Sequence, residues 1–178
     1  MNGKWIIVIV AAVALFFLGL VLVIHAQPDE YGLERSRVID ASADEIYPHI
    51  ADFEQWKEWS PWLVGEDYEA STTGEMKSES STFEWHGEEI GAGRLTLADT
   101  DRPHRLAIDL RFLEPHEMDA LTTFELRSLE NDQTQVTWSM RGQNNFMSKA
   151  IGLVMDLEDM IGDDYEEGLD NLARRVEG

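Results

Sequence analysis

The sequence predicts an α+β protein, an antiparallel sheet wrapped around one long C-terminal helix and preceded by one N-terminal transmembrane helix. Three observations carry this. Trp5 to Ile24 is twenty residues without a charged or strongly polar side chain. At about 1.5 Å per residue such a helix spans about 30 Å, the hydrocarbon thickness of a bilayer. Between Arg94 and Arg141 four runs place covered side chains at every second position, the pattern of strands with one covered and one wet face. From Phe146 onward the spacing lengthens to three and four residues, the mark of an amphipathic helix.

The apolar segment reads as an uncleaved anchor over residues 1–26. Trp5 is placed for one membrane interface, and His25, Gln27, Pro28, Asp29 and Glu30 mark the exit at the other. A cleaved signal is the competing reading. Its core would be about 7–15 residues, with small residues before the cut, whereas here the cut after Ala26 would follow bulky Ile24. Lys4 stands before the helix and Arg35 and Arg37 follow it. We expect the N-terminus inside and the domain outside the cytoplasm, since those arginines belong to a folded strand.

Residues 27–32 read as a linker and 33–178 as the domain. Leu33 to Asp40 forms a strand, and Ser42 with Glu45 three residues on reads as a capping box opening a helix. Two short helices follow, through Ile50 and then from Asp52 to Trp59, ended by Pro61. After a connection rich in Gly, Ser and Glu comes the meander: Leu95 and Leu97; Leu106, Ile108, Leu110 and Phe112; Thr122, Phe124 and Leu126; Val136, Trp138 and Met140. Arg102-Pro103 and Asn131-Asp132-Gln133 supply turns. The helical stripe runs Leu157, Ile161, Tyr165, Leu169, Leu172 and Val176, with a kink or break expected near Gly162.

Composition excludes several chemistries. The net charge is −21, from 14 Lys+Arg against 35 Asp+Glu, and there is no Cys. The charge argues strongly against nucleic acid as a partner, because phosphates must be neutralised by a basic patch. Disulfides, Cys-based metal sites and cysteine nucleophiles are excluded outright. All 35 acidic residues lie beyond position 28. Two readings of that acidity stay open, a solvated surface and adaptation to high salt, where self-repulsion is screened.

Glu34-Arg35-Ser36-Arg37-Val38-Ile39-Asp40-Ala41 and Trp56-Lys57-Glu58-Trp59-Ser60-Pro61-Trp62 resemble the opening of the SRPBCC superfamily. So do Glu84-Trp85-His86-Gly87, Gly91-Ala92-Gly93, Phe112-Leu113-Glu114-Pro115, Thr137-Trp138-Ser139-Met140-Arg141-Gly142, and Met160 through Leu169. The resemblance covers roughly residues 33 to 176 and is nearest the bacterial, membrane-anchored branch that carries the polyketide cyclase label. It implies a START-like helix-grip fold, with a cavity between the curved sheet and the long helix used for lipids, sterols and polyketides. Its motifs are structural, so an activity of the cyclase/dehydrase type is implied by the resemblance alone.

The ligand-binding candidates are Trp59, Trp62, Trp85, Phe112, Trp138 and Met140, large apolar groups of the kind that line pockets and equally fill cores. Trp56, Trp59 and Trp62 fall within seven residues, and Trp62, beside the proline, is the one best placed to touch a ligand. Met147, Met155 and Met160 supply further adaptable lining. Glu84 and His86, on one strand face around Trp85, are the weak acid–base candidates. No metal site is expected: His104 and His116 stand at opposite ends of one strand. Asp156, Glu158, Asp159, Asp163 and Asp164 lack the order of a calcium loop. Gly91-Ala92-Gly93 reads as a turn, and with no phosphate loop or nucleophile elbow no cofactor is expected.

The expectation is a membrane-anchored module for a hydrophobic small molecule or lipid. A cyclase/dehydrase-like enzyme and an interaction module with a closed pocket are the alternatives. The oligomeric state is left open.

Overall fold

The structure, a computed structural model, describes residues 3–65, 67–74, 81–115, 117–155 and 157–178. Its elements are α1 (Gly3–His25), β1 (Glu30–Ile39), α2 (Ala43–Ala51), a 3-10 helix (Phe53–Glu58), β2 (Glu69–Thr73), β3 (Thr82–Gly87), β4 (Gly91–Asp101), β5 (Arg105–Glu114), β6 (Met118–Ser128), β7 (Thr134–Gln143), α3 (Phe146–Ile151) and α4 (Leu157–Glu177). The strands form a seven-stranded sheet in the order β1-β7-β6-β5-β4-β3-β2. This is the expected α+β helix-grip fold. The chain divides into two compact units, Met1–Tyr31 with Gln143–Asp156, and Gly32–Gly142 with Leu157–Gly178.

The larger unit holds the sheet. From β2 to β7 each strand pairs antiparallel with the next. Asn131 and Asp132 take φ of 61° and 57° between β6 and β7, a left-handed pair that their short polar side chains tolerate. Register shifts in β4 at Ala92/Gly93 and Leu97/Asp99 are of the kind that bend a strand and raise its twist. Onto one face pack α2, the 3-10 helix and the buried stripe of α4, whose Tyr165, Leu169 and Leu172 are the expected apolar positions. Glu45 reaches back to the Ser42 N–H at 2.9 Å and hydroxyl at 2.8 Å, fixing the start of α2.

Several expectations need correction. The long helix breaks at Gly152 and not at Gly162: α3 ends at Ile151, while α4 runs unbroken from Leu157 to Glu177. Propensity alone marks both glycines, but Gly162 and Gly168 are buried, and tertiary packing offsets their cost of about 1 kcal/mol each. The first strand starts at Glu30, inside the stretch read as a linker. The connection rich in Gly, Ser and Glu contains β2, whose side chains are mostly exposed. Gly93 belongs to β4 and not to a turn.

In the smaller unit α1 is apolar and, by length and composition, long enough to cross a membrane. The short α3 packs against α1, and the Asn145 side chain caps it by accepting the Ser148 N–H at 2.8 Å.

Candidate functional site

Strand pairing stacks the apolar side chains of the sheet in rows. One row runs Leu106, Phe124, Trp138; the next Leu97, Ile108, Thr122, Met140; the next Phe83, Leu95, Leu110, Ala120; the last Trp85, Gly93, Phe112, Met118. Side chains at every second strand position share a face, so Trp85, Phe112, Trp138 and Met140 all lie on the same face. Burial falls along it. Phe124, Trp138 and Met140 are buried, whereas Leu110, Trp85, Phe112 and Met118 are half-buried.

The buried end is an aromatic cluster. Trp138 lies 4.1 Å centroid to centroid from Tyr165 of α4, 4.9 Å from Phe124, 5.6 Å from Trp59 and 5.7 Å from Trp62. The tryptophans are positioned by their own N–H groups. Trp56 donates to the Ile50 carbonyl at 2.8 Å and Trp59 to the His49 carbonyl at 3.0 Å. Asn171 of α4 donates to the Trp59 carbonyl at 3.1 Å. Trp62 is half-buried and donates to Asp164 Oδ2 at 3.0 Å. Among the described residues, the buried Trp138 Nε1 and Ser60 Oγ have no hydrogen-bond partner. A buried donor left unmet costs about 1–3 kcal/mol.

Trp85 and Phe112 are 6.0 Å apart in a T-shaped pair at the less covered end. Gly93 makes room for them: a Cβ there would come within 2.3 Å of the Trp85 indole. The two groups of rings are joined through Phe83, Phe53 and Trp56, an aromatic path along one face. The sequence reading missed Phe83, Leu110, Met118 and Gly93. The first three were legible in the alternation once the phase between strands was known; Gly93 was not, because its role is to leave space.

Glu84 and His86 alternate with Phe83 and Trp85 and so occupy the opposite face of β3. There Arg94 pairs with Glu84, its Nε 2.7 Å from Oε1, and His86 Nε2 lies 3.8 Å from Glu114 Oε2. The four rows named above carry no titratable side chain. His116 and Asp156 lie outside the described residues. Among the described residues no cluster of His, Cys, Asp or Glu could hold a metal ion. Met147, Met155 and Met160 are exposed, and of the methionines named from sequence Met140 alone is buried on the sheet face.

A family model described as polyketide cyclase / dehydrase and lipid transport matches residues 32–177. No curated protein matches the sequence significantly. Among solved structures, a protein from Thermobifida fusca superposes with a TM-score of 0.62 at 19% identity, over 82% of this chain and 92% of that one. The Zhui aromatase/cyclase from a Streptomyces species gives 0.61 at 14%, over 83% and 94%. The Aha1 dimer from Colwellia psychrerythraea gives 0.58 at 15%, over 82% and 96%. At these identities the likeness is one of fold.

Proposed function

The chain belongs to the polyketide cyclase/dehydrase and lipid transport family of the SRPBCC superfamily, and on that premise we propose that it binds a hydrophobic small molecule or lipid while tethered to a membrane by α1. The carrying observation is the apolar face itself. It is continuous from the buried Trp138 to the half-buried Trp85 and Phe112, with the unmet Trp138 N–H as a polar handle at the closed end. Apolar surface with few polar groups is what such ligands need. Trp59 and Met140 form the floor, and Trp62, Trp85 and Phe112 the part a ligand meets.

The tether suits this chemistry, because apolar ligands partition into the bilayer and a domain held beside it meets them at high local concentration. A single pass with the N-terminus inside would put the domain outside the cytoplasm, a reading supported by Lys4 before the apolar helix. A cyclase/dehydrase activity is less well supported, since Glu84 and His86 face away from the aromatic path.

The test is native mass spectrometry of the full-length protein released from lipid nanodiscs. A defined added mass, identified as a lipid or polycyclic molecule and lost in Trp85→Ala with Phe112→Ala, supports the proposal. A protein that stays empty, and ignores a panel of fluorescent fatty acids and sterols, overturns it in favour of an interaction module.

A further inference from the structure

Six large apolar side chains cluster in and just after α3, and all are exposed: Phe146, Met147, Ile151, Leu153, Val154 (82%) and Met155. A soluble surface does not carry six such groups within ten residues without a partner. Their setting names that partner. In a chain with 35 acidic residues, none falls between Asp132 and Asp156. Within α3 the one charge, Lys149, is buried and ion-paired with Asp29, so the segment presents apolar groups and no net charge.

The same segment is fastened to the end of α1. Asn144 donates its backbone N–H to the Asp29 carbonyl at 2.7 Å and its side-chain amide to the Pro28 carbonyl at 3.1 Å. Gln143 donates to Glu30 at 3.1 Å, and α3 packs on α1. Asp29 is four residues beyond His25, a reach of at most about 14 Å of extended chain. A bilayer around α1 therefore begins within that distance of the staple.

We propose that residues 146–155 are a second membrane contact, an apolar element that lies in the headgroup region of the same bilayer that holds α1. The inference rests on the reading of α1 as a membrane helix. An interfacial element of this kind sinks about 5–10 Å and needs apolar side chains without acidic ones, since anionic headgroups repel carboxylates. The Asp29–Lys149 pair neutralises the lysine and holds the element at the membrane exit. Together the span and the second contact would limit the rotation of the tether.

The absence of cysteine in the chain makes the test direct. Full-length variants Val154→Cys, Val38→Cys and Leu15→Cys, each with a nitroxide label, are placed in phosphatidylcholine/phosphatidylglycerol vesicles. Collisions with oxygen and with an aqueous nickel chelate are then compared. The expected result is a lipid-like label at Leu15, a water-exposed one at Val38, and one at Val154 about 5–10 Å below the headgroups. A Val154 label as accessible to nickel as that at Val38, with Leu15 still in lipid, overturns the second contact and leaves the anchor standing. A Val154 label shielded from both quenchers means protein covers the patch and also overturns it. A Leu15 label open to nickel removes the anchor and the second contact with it.

Discussion

Gly168 of α4 lies so close to Trp138 of β7 that a Cβ on it would come within 2.8 Å of Cζ3, and within 3.1 Å of Pro61 Cδ. Helix and sheet therefore meet at a point where only hydrogen fits, between two rigid rings. Propensity favours alanine over glycine in a helix interior by about 1 kcal/mol, but overpacking a core costs about 1–3 kcal/mol. Gly168→Ala is expected to be destabilising on balance, by up to about 2 kcal/mol. Urea denaturation checks it, and an unchanged or raised midpoint would show that the indole can shift.

The two ends of the aromatic path should separate in their response to truncation. Trp59→Ala removes a side chain with no exposed surface and should cost about 3–5 kcal/mol of stability. Trp85→Ala, at the half-buried end, should cost less and instead weaken binding of a fluorescent fatty acid by about tenfold or more, as for a central contact residue. Glu84→Gln removes an exposed ion pair worth about 0–1 kcal/mol and should leave that binding unchanged. Loss of binding in Glu84→Gln with the fold intact would return the acid–base reading to the front.

Much of this was legible because it depends on period. The two-residue spacing of Leu106, Ile108, Leu110 and Phe112 is enough to define a face, and the stripe through Tyr165, Leu169 and Leu172 is enough to define a helix. What period cannot supply is the phase between strands. Trp85 and Trp138 share a face only through the four successive pairings that run from β3 to β7, and nothing local to either residue encodes that. The glycines show the same limit. Gly152, Gly162 and Gly168 have equal propensity, and the Trp138 and Pro61 rings that pack on Gly168 are distant in sequence.

Acid should loosen α2 in a defined direction. The Ser42 backbone N–H and hydroxyl bonding to Glu45 hold its carboxyl below the usual glutamate value of 4.5. The native state thus binds this proton less readily than the unfolded chain does. The stabilisation is complete above about the ordinary value and is lost as pH falls through the lower native one. In Glu45→Gln the pH dependence of stability below pH 5 should be shallower than in the parent, measured by urea midpoints at each pH. Parallel curves would show that the contact does not discriminate between native and unfolded chains.

Salt should act on the whole domain. Carboxylates outnumber basic groups by 35 to 14, and their mutual repulsion opposes the compact state. The exposed pairs, such as Arg35 with Glu166 and Arg175 with Glu58, are screened too, but each is worth only about 0–1 kcal/mol. Raising the salt from 0.1 M to 1 M shortens the screening length from about 10 Å to about 3 Å, which removes the long-range repulsion first. The melting temperature should therefore rise between dilute buffer and molar potassium chloride. Chloride is the informative anion, because sulfate strengthens apolar burial in any protein. A flat or falling melting temperature in chloride would mean that the carboxylates are spread widely enough to be solvated singly, and the adaptation to high salt would be withdrawn.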